Sequence, residues 1–199
     1  MYKIMFNDRY GLTQAVIEGR KTMTRRLINL NSTSDVPVRI FAGYVQIIGC
    51  SGNVCAEKKL PYKVGEIVAV AQSYETAGFD PEYRIEGGPY AKKHAGWRNK
   101  MFVSAKYMPH QIRITGIKCE RLQDISDEDC LREGIIKVLD AFGNPSEYYT
   151  ALEGTSIPAL RMYANTPREA FASLIDRVSG RGTWASNPWV VVYEFELIE

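Results

Sequence analysis

The chain has 199 residues, 45% hydrophobic and 24% charged, the balance of a globular protein able to bury a core rather than of a disordered or fibrous one. Its formal net charge of +2 supplies no global field toward nucleic acid or membrane, so any such binding must come from a local patch. No apolar run approaches the ~18 residues of a membrane span, and the opening Met1-Tyr2-Lys3-Ile4-Met5-Phe6-Asn7-Asp8 lacks a signal-peptide core, which reads as a cytoplasmic protein.

Tyr2, Ile4 and Phe6 alternate with Met1, Lys3 and Met5, predicting a short strand. Asn7 or Asp8 can cap a helix over 10–18, with Leu12, Ala15 and Val16 on one face and Gly19 as a left-handed terminator. The β-branched Thr22 and Thr24 then predict a turn leading into an irregular strand. Residues 29–61 read as polar loop with one candidate hairpin, Val38 and Ile40 against Tyr44, Gln46 and Ile48 across Ala42-Gly43. Val64-Gly65-Glu66 predicts a turn into a buried strand through Val70.

From Glu75 to Lys100 the chain is punctuated by glycine and proline and interleaves Tyr83, Tyr90 and Trp97 with Lys92, Lys93, Arg98 and Lys100. That composition suits single-stranded nucleic acid, whose bases stack on rings while phosphates meet cations. It also suits an inserted loop whose rings pack on the domain. Ile112, Ile114 and Ile117 predict a strand to about residue 122, and Ser126 caps an acidic helix expected to run to Glu133 and stop at Gly134. Residues 137–165 lack a period and are expected to form loop, with at most a short helix. Thr166-Pro167-Arg168-Glu169 opens a helix carrying Ala170, Phe171, Leu174, Ile175 and Val178 inward, and Asn187-Pro188-Trp189 leads into a strand over 190–198. Strands outnumber separated helices, so the class is α+β, with a curled sheet.

Four cysteines form no C-x-x-C pair and only His94 and His110 are present, so neither a metal nor a cofactor is expected, and both histidines read as ordinary surface or core residues. Trp184 and Trp189 read as core.

The segment Gly19-Arg20-Lys21-Thr22-Met23-Thr24-Arg25-Arg26 concentrates four cations and two hydroxyls in eight residues. Taken alone, a basic run closing a helix is a solvated face favoured by the helix dipole. The segment also resembles the signature of ASCH-domain proteins, a PUA-like family. Val64-Gly65-Glu66-Ile67, Arg121-Leu122-Gln123-Asp124-Ile125-Ser126, Asn187-Pro188-Trp189 and Tyr193-Glu194-Phe195 are similar to further family segments, and the longer pattern is most similar to ASCH-like proteins of phages and prophages. The resemblance implies a single PUA-like domain over 1–199: a mostly antiparallel pseudo-barrel flanked by helices near 10–18, 127–133 and 167–178, with insertions near 29–61, 76–100 and 137–165. It further implies a modified nucleoside or RNA as partner. A related bacterial ASCH protein is an amidohydrolase that removes the acetyl group of N(4)-acetylcytidine, and its proposed lysine, threonine and glutamate fall on Lys21, Thr24 and Glu133. Arg20, Arg25, Arg26, Trp97 and Arg98 become candidate substrate or anion contacts. The chain departs from the minimal enzymes in its greater length and in Arg25 directly after Thr24.

Amide hydrolysis needs a nucleophile, a base to take its proton and a donor to the developing oxyanion. Thr24 can be the nucleophile or position a water, and Glu133 can shuttle a proton to the leaving amine. Lys21 can be the base only when neutral; at a pKa of ~10.4 that is about one molecule in 2,500 at pH 7, and at ~7.5 about one in four. The arginines and burial push its pKa down, whereas a nearby Glu133 pushes it up. Two other readings stand beside this one: a binding pocket with Lys21 as a permanent cation, and a structural Lys21–Glu133 ion pair.

Overall fold

The computed structural model describes residues 1–28, 37–49, 51–139, 143–151 and 163–198. The described strands are β1 (Tyr2–Ile4), β2 (Met23–Leu27), β3 (Val38–Phe41), β4 (Tyr44–Ile48), β5 (Val54–Lys59), β6 (Ile67–Val70), β7 (Gln111–Arg121), β8 (Ile136–Leu139), β9 (Pro145–Thr150) and β10 (Trp189–Ile198). The described α-helices are α1 (Leu12–Ile17), α2 (Asp127–Arg132), α3 (Pro167–Ser179) and the single turn α4 (Thr183–Ser186). The class is α+β. Among the described residues five strands form one sheet in the order β1-β6-β7-β10-β2, three form a second, β3-β4-β5, and β8-β9 form a two-stranded third, with Tyr149 of β9 also bridged to Ala164. All described pairings are antiparallel except β1 with β6.

The alternating pattern of the first residues and the Val-rich ends produce the strands they predict, and Ser126 and Thr166 cap α2 and α3 through bonds from the amides of Asp129 and Glu169. Three regions differ from the sequence reading. The helix expected over 10–18 is a 3-10 turn at Asp8–Tyr10 followed by α1, because Gly11 takes φ 63° between them. The hairpin of 38–48 gains a third strand, β5, whose residues are all exposed and so carry no apolar alternation to read. The expected loop of 137–165 contains the β8–β9 hairpin, with residues 140–142 and 152–162 outside the described set.

β6 divides the interior. Successive residues of a strand point to opposite faces, so Val68 and Val70 enter the main core while Ala69 enters a second apolar cluster. The main core joins β7, β10, α1 and the buried face of α3, formed by Ala170, Phe171, Leu174 and Ile175. Val178, expected to point inward with them, is 39% exposed. The second cluster gathers Tyr74, Ile85, Ala91, Val103 and Met108 from the segment after β6. Among the described residues β2 is an edge strand, paired with β10, which opposes Thr24 to Tyr193, Arg25 to Val192 and Arg26 to Val191.

Candidate functional site

Lys21 stands between a helix end and a strand start, and backbone bonds fix it there. Its amide donates to the Ala15 carbonyl of α1 at 2.9 Å, and the amide of Thr22 donates to the Arg132 carbonyl of α2 at 2.9 Å. Gly19, at φ 73°, turns the chain out of α1 so that this crossing is possible. Gly134 performs the same service for α2: at φ 101° it lets the backbone pass, with the Lys21 Cβ 3.6 Å from where a side chain would begin.

The consequence is a buried ion pair 112 residues apart in sequence. Lys21 Nζ donates to Glu133 Oε2 at 2.5 Å and to the Glu133 backbone carbonyl at 2.7 Å, and Lys21 and Glu133 are 2% and 4% exposed. The carbonyl lies at the C-terminus of α2, where the helix dipole favours a cation. Burial nevertheless lowers the Lys21 pKa from its ordinary value, an effect that Glu133 opposes and Arg26 and Arg25 reinforce.

Arg25 continues the network on the other side of Glu133. Its Nη1 donates to Glu133 Oε1 at 3.1 Å and approaches Met23 Sδ at 3.1 Å, its Nη2 donates to Glu120 at 2.6 Å and Asp129 at 2.9 Å, and its Nε donates to Glu120 at 2.9 Å. Burial works against this charge, but Glu133, Glu120 and Asp129 outweigh it and raise the Arg25 pKa. Lys118 bridges Glu120 at 2.9 Å, and Arg132 reaches Asp129 and Glu194, each at 3.3 Å. Four cations thus meet four carboxylates, Glu133, Glu120, Asp129 and Glu194.

Lys21, Thr24 and Glu133 line one cleft of about 430 Å³, with Arg25 and Arg26 at its polar side and Phe6, Leu12 and Phe171 among its apolar walls. Thr24 is 5% exposed, and among the described residues no hydrogen bond holds its hydroxyl. The Phe6 ring lies beneath two of the cations, its centroid 5.9 Å from Lys21 Nζ and 5.7 Å from the Arg26 guanidinium carbon. Arg26 is exposed and donates to the Met5 carbonyl at 2.6 Å.

The remaining candidates lie elsewhere. Arg20 pairs with Glu18 at 2.5 Å and does not line the cleft. Trp97 packs against the second apolar cluster, and the exposed Arg98 reaches Glu75 at 3.4 Å. The rings of that segment face one another: Tyr74 meets Phe79, His94 and Tyr107, and Phe79 meets Tyr83. Trp97 and Phe79 thus pack on the domain, whereas Tyr83 is 47% exposed and the Tyr90 ring faces Arg84 and Lys93. Sequence reasoning also passed over Phe6 as a cleft wall and Glu120 as a partner of Arg25. No local pattern signals either, since both depend on which strands become neighbours.

Among the described residues no cluster of three or more His, Cys, Asp or Glu could hold a metal, and no helix is long and apolar enough to cross a membrane. No family model matches the chain, and neither a curated protein nor a solved structure matches it.

Proposed function

We propose that the chain is an ASCH-like, PUA-like cytoplasmic protein directed at a nucleoside or RNA, and that its cleft hydrolyses the acyl amide of a modified cytidine. The observation that supports this reading is the convergence of Lys21, Thr24 and Glu133 on one partly apolar cleft, from positions as far apart as 21 and 133. In this scheme the Thr24 oxygen bonds to the acyl carbon while its proton passes to neutral Lys21 Nζ. The carbonyl oxygen becomes an oxyanion beside the Arg26 guanidinium. The C–N bond then breaks, the exocyclic nitrogen of cytidine takes the proton from Lys21, and water releases the acyl group from Thr24 by the same steps. The downward displacement of the Lys21 pKa serves this role, because it enlarges the neutral fraction at working pH.

A second reading is a nucleotide-binding pocket without chemistry. It is favoured by the engagement of both Glu133 oxygens, one by Lys21 and one by Arg25, which holds Lys21 as a charged anchor.

Release of cytidine from N(4)-acetylcytidine separates the two. The hydrolase loses turnover in Lys21→Arg, which keeps the charge but no group able to be neutral near pH 7, and also in Thr24→Ala and Glu133→Gln. Turnover in the wild type with all three variants unaffected sinks the mechanism. No turnover in the wild type, with cytidine or cytidine monophosphate still bound, leaves the binding reading.

A further inference from the structure

Among the described residues the cleft at Lys21 is the first of three depressions that share walls. A second, of about 410 Å³, is bounded by residues of β2, β5 and β10 and shares Met5, Arg26 and Leu27 with the first. A third, of about 390 Å³, shares Lys3, Lys59, Leu60, Pro61 and Tyr62 with the second and ends at Lys63 and Glu66. Each is large enough for a small organic group, near the lower end of the ~300–1,000 Å³ of ligand pockets. β5 and the turn that follows it form one wall of the outer two.

Charge is distributed unevenly along this trough. Beyond the first cleft the described walls add Lys3, Lys58, Lys59 and Lys63 against one carboxylate, Glu66. In the first cleft Lys21 and Arg25 are balanced by Glu133, Glu120 and Asp129, so among the described residues the excess of cations lies at Arg26, Lys3, Lys58, Lys59 and Lys63. Among the described residues Arg26, Lys58, Lys59 and Lys63 make no ion pair with a carboxylate. Lys3 differs, its ammonium being held by the Met101 and Val103 carbonyls at 2.7 Å each. Rings stand among these cations. Half-buried Tyr62 lines the second depression, backed edge-on at 5.4 Å by the core residue Tyr193, and Tyr2, 63% exposed, lines the third.

Lysines on an edge strand such as β5 can serve merely to repel another strand, a role that requires no concave surface beneath them. A small anion would need one depression only. A row of depressions with unpaired cations and intervening rings matches a flexible polyanion whose repeating unit carries both a phosphate and a flat base.

We propose that this trough is a track for single-stranded nucleic acid, with one base in the Lys21 cleft and the neighbouring phosphates passing Arg26, Lys58, Lys59 and Lys63. Only the seating of that base rests on the nucleoside-directed reading of the cleft; the track rests on shape and charge.

The test is fluorescence anisotropy of the full chain with a labelled single-stranded oligocytidine RNA of about a dozen nucleotides, titrated across salt. With about four phosphate contacts, log K falls against log salt with a slope near −3, at ~0.7 per contact. Lys58→Gln with Lys59→Gln reduces that slope by about 1.4, while Lys92→Gln with Lys93→Gln, outside the trough, leaves it unchanged. Both β5 lysines are exposed, so the first variant folds as the wild type does. Wild-type binding no tighter than that of cytidine monophosphate overturns the proposal, as does an unchanged slope in the β5 variant. Equal binding of an oligoglutamate peptide of the same charge also overturns it, in favour of an acidic protein partner. Cleavage of N(4)-acetylcytidine without oligonucleotide binding removes the track and keeps the hydrolase, whereas oligonucleotide binding with the expected slopes and no cleavage does the reverse.

Discussion

Arg25 and Arg26 are neighbours on one edge strand, yet they belong to opposite kinds of surface. Arg25 is 6% exposed and its donors are taken up by Glu133, Glu120 and Asp129, whereas Arg26 is exposed and donates to a single backbone carbonyl. Adjacent strand residues point to opposite faces. One face of β2 meets the carboxylates of β7 and α2, and the other opens toward the trough beside β5. The same charge is structural on one side and available to a ligand on the other. What separates them is whether the neighbouring elements supply counter-charges.

The comparison breaks most sharply at Glu133. Glu133→Gln leaves Lys21 and Arg25 buried without their shared carboxylate, and the expected cost is about 3–5 kcal/mol of unfolding free energy in urea. On the open side, Lys58→Gln with Lys59→Gln stays within about 0.5 kcal/mol of the wild type in the same assay, although it is the variant expected to alter nucleic-acid binding. Comparable losses in the two would erase the distinction between the faces.

Asp129 gives a smaller, pH-resolved effect. Burial alone would raise its pKa, but Arg25, Lys118 and Arg132 prevail and lower it below the ordinary 3.8. A carboxylate whose pKa is depressed in the folded state stabilises fully above its unfolded value, and loses that contribution as pH falls through the folded value. The wild type should therefore weaken below about pH 4, and Asp129→Asn should show a shallower acid limb at a cost of about 1.5–3 kcal/mol at neutral pH. An acid limb as steep in the variant as in the wild type would remove Asp129 from the network's account.

The smallest effect is a rate. Cys130 on α2 lies behind the paired face, with burial pushing its thiol up to about 12, and Cys119 on β7 is pushed up to about 11, whereas Cys55 on β5 is exposed. In a Cys50→Ser background a disulfide reagent at pH 8 should label Cys55 promptly and Cys130 slowly. Glu133→Gln should speed Cys130 alone. Uniform labelling of the thiols would mean that the network does not close α2 onto β2.

Much of the framework follows from local pattern. Ser126 and Thr166 open helices because their hydroxyls satisfy the first free amides, and Ile67–Val70 and Trp189–Ile198 form strands because their apolar residues must be buried. β5 was not legible, since a strand exposed at every residue has no periodicity. The order in which the strands pair was not legible from pattern either, because it depends on contacts between segments distant in the chain. The basic-aromatic segment 75–100 shows the limit most plainly. Its composition matched a nucleic-acid surface, but Tyr74, Phe79, Tyr83 and Tyr107 close on one another and leave Lys92, Lys93 and Arg98 outside. Rings find the nearest apolar partners, and composition does not say where those partners are.

By itself the sequence determined the α+β class, the caps, the left-handed turn at Gly19 and the concentration of Lys21, Thr24, Arg25 and Arg26 in one short segment, since each depends on residues within a few positions. Tertiary structure alone decided that Lys21 meets Glu133 across 112 residues and that Arg25 is neutralised while Arg26 is not. It also decided that Lys58 and Lys59, from a strand without apolar pattern, line a cavity. Electrostatic roles are set by the distance and burial of partners, and those are properties of the packed chain.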